Sequence, residues 1–188
     1  MSDYFTQLKQ YNEKFYIITT FSEKKVSITV NSLLGFSIND EVRVIYENYD
    51  SFVLKWINKQ GKYIGSINFI GYNRLIKEHD DFILMMKECY DVETDELNIS
   101  NDIVNWYPLI WFANGDAFCM DVRDGAIYFF EHEVFEGEKN IYGLKIASSA
   151  NELFYKWNKI HFIDFYYWDE IVNEGGIDLS TNPLQRLL

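Results

Sequence analysis

The stretch PLIWFANGDAFCMDVRDGAIYFFEHE, residues Pro108 to Glu133, decides the fold class. Asn114-Gly115 and Asp124-Gly125 are residue pairs that type I′ hairpin turns favour, because both central positions of such turns need positive φ. The runs beside them are apolar, aromatic and β-branched, as strands are. If both turns are two-residue loops, the register follows by arithmetic. Trp111 then opposes Phe118, Leu109 opposes Met120, Val122 opposes Ile127, and Met120 opposes Phe129. These side chains form one continuous apolar face, which is expected in the core. The opposite face carries Ile110, Phe112, Cys119, Asp121, Tyr128, Phe130 and His132, aromatic but interrupted by ionisable groups. A sheet with faces this unequal should bury one against helices and offer part of the other to a partner. A longer loop at either turn reverses some of these assignments.

Upstream, Phe52 to Asn58 and Lys62 to Ile70 read as two strands paired across Lys59-Gln60-Gly61. Asn73 to Cys89 carries an apolar stripe at helical spacing through Leu75, Ile76, Phe82, Ile83 and Met86. Asn39 caps an expected helix from Asp40 to Asn48, with acids in its first turn. Phe15 to Phe21 reads as a strand, and Tyr4, Leu8 and Tyr11 lie at helical spacing. Ser22 to Gly35 is ambiguous: Val26, Ile28 and Val30 alternate, yet Ser22, Glu23 and Gly35 supply cap and stop signals that favour a helix. Asp91 to Asp102 is expected to be a solvated acidic loop.

Downstream, Ser149-Ala150-Asn151-Glu152 is a capping box, in which hydroxyl and carboxylate each take an orphan amide. The helix it opens should bury Leu153, Phe154 and Trp157. Phe162 to Asn173 is expected to be helical in part and to end at Gly175-Gly176, with a loose tail from Ser180.

A length of 188 residues suits a single domain that can bury a sizeable core without disulfide or metal. Aromatics reach 18%, too many for all to be interior, so some are expected at the surface. Acids outnumber bases 29 to 17, for a net charge of −12. Such a charge repels phosphate backbones and speeds the approach of a basic partner, so nucleic-acid binding is not expected. Cys89 and Cys119 form no CxxC pair and read as small buried hydrophobes in a reducing compartment. No signal-peptide pattern opens the sequence and no apolar run is long enough to span a membrane, which sets the expectation of a cytoplasmic protein.

The order of elements resembles the SUKH superfamily, which includes fungal cell-wall-synthesis regulators and bacterial immunity proteins. Four stretches carry the likeness: Leu34-Gly35-Phe36 with the helix ending at Tyr49-Asp50-Ser51-Phe52; Gly115-Asp116 leading to Asp121; Ile127 to Glu133 with its His-acid ending; and Ile146-Ala147-Ser148-Ser149 opening a helix. The family usually has a proline where Ile38-Asn39 stands, and an aromatic where Ala150 stands. The resemblance implies an α+β fold, with a mixed or antiparallel sheet flanked by helices. It places a SUKH-like core at 22–158 and a C-terminal extension at 159–188 of one domain. It also implies binding rather than catalysis, with no cofactor.

Catalytic and metal motifs are weak. His132-Glu133-Val134-Phe135-Glu136 has Glu136 where a zinc-protease helix needs its second His. Asp121-Val122-Arg123-Asp124-Gly125 lacks the alternating acids and distal Glu of a calcium loop. No spacing singles out a carboxylate pair for glycoside hydrolysis, and neither Cys119 nor any Ser has a nucleophile context. The leading expectation is an immunity protein that docks a basic toxin domain through Asp116, Asp121, Tyr128, Phe130, His132 and Glu133. A housekeeping scaffold and a carbohydrate-binding protein are the competing readings.

Overall fold

The computed structural model describes residues 4–27, 29, 40–90, 103–132, 142–160 and 168–180. Two antiparallel hairpin systems merge into one sheet. Strands β1 (Ile17–Lys25), β2 (Tyr49–Ile57), β3 (Tyr63–Ile70), β4 (Trp106–Trp111), β5 (Ala117–Asp121), β6 (Ile127–Phe130) and β7 (Lys145–Ala147) lie side by side in chain order. Every pairing between them is antiparallel. Helices α1 (Tyr4–Phe15), α2 (Asp40–Asn48), α3 (Tyr72–Tyr90), α4 (Ala150–Lys159) and the short α5 (Trp168–Ile171) complete an α+β fold. β8 (Val172–Asn173) and β9 (Gly176–Ile177) form a small second hairpin.

The two faces of the sheet carry separate cores. On one, Phe5 of α1 stacks on Phe52 at 4.1 Å, and Phe118 meets Trp157 of α4 and Trp168 of α5 at 5.2 and 4.9 Å. On the other, Phe82 and Met86 of α3 cover Ala117, Cys119 and Phe130. The alternation along β5 thus feeds both cores, Phe118 and Met120 on the first side and Ala117 and Cys119 on the second. Cys119 is wholly buried, as expected of a small hydrophobe, while the side chain of Cys89 lies outside what is described. Trp168, Ile171, Val172 and Ile177 belong to the first core. The region after Lys159 thus supplies part of the hydrophobic core.

α2, α3 and the β2–β3 pair fall where the sequence places them. At the capping box the Ser149 hydroxyl accepts from Glu152 N at 3.2 Å. The Glu152 carboxylate reaches back one residue further than the motif prescribes, to Ser148 N at 2.7 Å. Gly71, between β3 and α3, touches the start of β2: a Cβ there would stand 1.7 Å from the Asp50 carbonyl oxygen, so only glycine fits.

Three expectations are corrected. Ser22 to Lys25 extends β1 instead of opening a helix, with Ser22 opposite Val53 and Glu23 opposite Phe52. A full ladder to β2 outweighs a cap signal worth about 1 kcal/mol. Most of the remainder, to Gly35, lies outside the described residues, as does the Asn39 cap. The hairpin registers also differ. The first turn closes from Phe112 N to Asp116 O, one residue longer than a two-residue loop, so Ile110 opposes Phe118 and Trp111 opposes Ala117. This moves Ile110 and Phe112 to the first core and Trp111 to the second face. A register shift between Pro108 and Ile110 then changes the offset again. At the second turn Asp121 N bonds Ala126 O, and Met120 opposes Ile127. That loop is two residues longer than expected, so its face assignments survive. Finally, Glu174-Gly175 forms the turn of the β8–β9 hairpin and Gly176 opens β9, so the chain directly after α5 is strand. The stretches 91–102 and 162–167, and the tail from 181, lie outside the described residues.

Candidate functional site

The expected site residues separate into two groups at opposite ends of β5, roughly 17 Å apart at ~3.3 Å per residue. At the first turn Asn114 Oδ1 accepts from Asp116 N at 3.1 Å, and Asp116 Oδ1 accepts from His132 N at 2.8 Å. Asp116, almost fully buried, ties this turn to the end of β6. Gly115 holds a φ of 97°, and a Cβ there would lie 3.0 Å from His132 Cγ, so the imidazole packs directly on the turn backbone. His132 is half-buried. Glu133 lies outside the described residues.

At the other end, Asp121 is buried and anchors the second turn. Its Oδ1 accepts from Arg123 N at 2.8 Å and from Arg123 Nε at 2.9 Å, and Oδ2 takes the guanidinium as well. Burial alone would raise this carboxyl; the Arg123 side chain and backbone outweigh it and hold the group below the usual carboxylate range. Because Arg123 meets its charge, Asp121 adds little to a field that steers partners.

Tyr128 is half-buried and lies face to face with Trp106, centroids 5.1 Å apart and planes 14° from parallel. Tyr142 adds a third ring 6.2 Å from Trp106. Phe130 is different: it is 0% exposed, set edge-on to Phe82 of α3 at 4.8 Å and 89°. It has no surface to offer a partner, so its place in the expected docking set is corrected to a core residue under α3. α3 covers this part of the second face because its apolar stripe continues through Phe82 and Met86.

The structure therefore joins Asp116 with His132, and Asp121 with Tyr128 through Trp106, but does not unite the set into one patch. Trp106, Arg123 and Tyr142 were missed. Trp106 stands opposite Asp121 in the register, a pairing readable only once the loop lengths are known. Cys119, at 0% exposure, has its thiol pushed up by burial and is no nucleophile. Among the described residues no group of three or more His, Cys, Asp or Glu is placed to hold a metal ion, and no helix is long and apolar enough to cross a membrane.

Fold and site together define an α+β protein with a cluster of three aromatic rings beside the Arg123–Asp121 ion pair. No protein-family model, curated protein or solved structure matches the chain.

Proposed function

We propose that the chain is a non-enzymatic, acidic binding protein of the SUKH kind, acting as an immunity protein that neutralises a bacterial toxin with a basic binding surface. The observation that carries the reading is Tyr128, partly exposed yet stacked flat against Trp106. An aromatic ring already ordered in the free protein loses little entropy when a partner covers it, which is how a few contacts come to dominate an interface. The net charge of −12 supplies the second ingredient, faster encounter with a basic surface. His132, partly exposed at the far end of β5 and held there by Asp116, adds a polar contact.

The test is co-expression with a toxin encoded beside this gene, scored by growth and by the affinity of the purified pair. Wild type should rescue growth and bind more weakly as salt rises. Tyr128→Ala should weaken binding about tenfold or more. Failure to rescue, or an affinity indifferent to both salt and Tyr128, refutes the reading. A scaffold with a non-basic partner is the second reading, favoured by the neutralisation of Asp121 by Arg123; it predicts binding that salt leaves unchanged.

A further inference from the structure

Charge is unevenly spread along the chain. From Ser51 to Lys77 the sequence carries Lys55, Lys59, Lys62, Arg74 and Lys77 and not one Asp or Glu, although acids outnumber bases 29 to 17 overall. Arg74 and Lys77 are engaged by Glu78 and Asp81 along α3. Lys55, on β2, and Lys59 and Lys62, at the β2–β3 turn, are exposed and have no ion pair among the described residues. The turn holds its two lysines on an ordered backbone. Asn58, only 3% exposed, accepts at Oδ1 from Gln60 N at 3.0 Å and from Lys62 N at 2.8 Å, and its own N–H bonds Lys62 O at 2.8 Å.

An apolar row lies beside that turn. Ile57 of β2 pairs with Ile17 of β1 and with Tyr63 of β3, so the three side chains share one face of the sheet. Their neighbours Ile18, Trp56 and Ile64 all pack in the first core, which sends the row to the second face. There Ile17 is 48% exposed, and Ile57 and Tyr63 are partly exposed. Lys55, two residues before Ile57, stands on the same face at the row's inner border. Ser66, opposite Lys55, is buried, so the bare area stops short of it.

The corner between α1 and β1 adds to the same end of the sheet. Phe15, two residues before Ile17, is 43% exposed, and the exposed Lys14 holds its Nζ 5.3 Å from the Phe15 ring. Glu13, the acid nearest in sequence, is taken by Lys9 at 3.5 Å. Apolar and cationic groups thus occur here together in a chain that is acidic as a whole. The row is separated from Tyr128 of β6 by β4 and β5, so the two surfaces are independent.

We infer that this end of the sheet docks a short segment of another protein in which apolar side chains lie between carboxylates. Ile17, Ile57 and Tyr63 span about 10 Å across three strands, enough for two or three apolar side chains. Lys59 and Lys62 on one side, and Lys55 on the other, meet the carboxylates. A nucleic acid brings the charge but no aliphatic groups for Ile17 and Ile57. An anionic membrane brings both, but as an extended plane it faces the whole chain and its net charge of −12. A short segment covers the row alone, and acids elsewhere are screened over about 8 Å at physiological ionic strength. A second copy docked by this same face sets lysine against lysine, which is costly.

The experiment is fluorescence anisotropy of the full chain with the labelled peptide Glu-Glu-Leu-Phe-Leu-Glu-Glu. Two peptides of equal length are the controls, one with Lys for every Glu and one with Ser for every apolar residue. A single-stranded oligodeoxynucleotide and sedimenting vesicles of phosphatidylserine and phosphatidylcholine are the rival anions. The first peptide should bind saturably, the controls about tenfold or more weakly, and the oligonucleotide and vesicles no better than the controls. Lys59→Glu/Lys62→Glu should lower affinity for the first peptide about tenfold or more, and Ile17→Ser about fivefold. Circular dichroism checks that both variants fold, and the exposed turn variant decides if Ile17→Ser unfolds. No binding by the first peptide, equal binding by either control, tighter binding of the oligonucleotide or the vesicles, or unchanged affinity in the variants overturns the inference.

Discussion

Replacing Phe130 and Tyr128 separately by alanine distinguishes a ring that holds the fold from a ring that can meet a partner. Phe130 is 0% exposed and makes an edge-to-face contact with Phe82 at 4.8 Å, with Tyr142 and Trp111 at 5.8 and 6.3 Å. Truncating a fully buried Phe loses its transfer free energy and leaves a cavity that α3 closes only in part, together about 3–5 kcal/mol. Against a total stability of about 5–15 kcal/mol that is a large fraction. At roughly 2–4 °C per kcal/mol for a chain of this size, the melting temperature should fall by about 10 °C. Tyr128 is only partly buried, so its truncation forfeits most but not all of a burial term of ~2 kcal/mol and a stack worth ~0.5–1.5 kcal/mol, for a smaller loss of about 1.5–3 kcal/mol. Guanidinium unfolding followed by circular dichroism and by tryptophan fluorescence measures both; coincident curves justify treating each as two-state. A Phe130→Ala loss below about 1 kcal/mol would show that α3 does not seal this ring and would return it to the docking surface. A Tyr128→Ala loss equal to that of Phe130→Ala would make Tyr128 a core residue and remove the main support for the proposed function.

Gly71→Ala should cost at least the upper end of the usual overpacking range of about 1–3 kcal/mol, because the new methyl meets the Asp50 backbone and no side chain can turn aside. Urea midpoints measure this, and a loss under ~1 kcal/mol would contradict the packing. Ser149→Ala should lower stability by about 1 kcal/mol and Ser149→Gly by only a few tenths, through the Glu152 amide it caps. Acid should destabilise the protein in two stages. His79 lies flat on Tyr107 with Nε2 3.1 Å from Val104 O, and burial depresses its pKa despite Asp80 nearby. A base depressed on folding contributes stability that is full above its unfolded pKa of about 6.5 and is lost as pH falls through the lower folded value. Asp50 is held below the carboxylate range mainly by its hydrogen bond from Lys24, so its contribution is full above about pH 4 and is lost below that. Stability measured against pH should therefore decline first below about pH 6.5, a limb that His79→Phe flattens, and again below about pH 4, a limb that Asp50→Asn flattens.

Elements whose periodicity, caps and turns agree were readable in the sequence: α2 from Asp40 to Asn48 and the β2–β3 pair around Gly61. The β4–β5–β6 hairpins were located but misregistered. Asn114-Gly115 and Asp124-Gly125 do mark the turns, yet side chains extend both loops: Asn114 Oδ1 takes the Asp116 amide in the first, and Asp121 Oδ1 takes the Arg123 amide in the second. Side-chain bonds of this kind depend on geometry that periodicity does not encode. Ser22 misled because a local cap signal was set against a ladder whose partner, Val53, lies far along the chain. At the candidate site, the two acids were visible as turn residues, but their burial was not. Whether Phe130 faces solvent depended on where α3 crosses the sheet. The acid-free run from Ser51 to Lys77 was in plain view, and a single net charge averaged it away.

Where α3 can lie is itself decided by the strands beneath it. Over β4 to β6 the second face offers Ala117, Cys119 and Phe130, and Phe82 and Met86 bury against them at no polar cost. Had the helix swung toward β1 and β2, it would have covered Lys55 and Lys24, exposed on that face, in exchange for Val53 and Ile57, which are already half-buried. Desolvating an ammonium costs several kcal/mol, whereas completing the burial of a Val or Ile returns only part of about 1.5–3 kcal/mol. The exposed lysines thus disfavour cover by the helix on this half of the sheet. Because Lys55 is exposed and pays no such cost where it stands, replacing it by a small apolar residue should leave stability within about 0.5 kcal/mol, which urea unfolding measures.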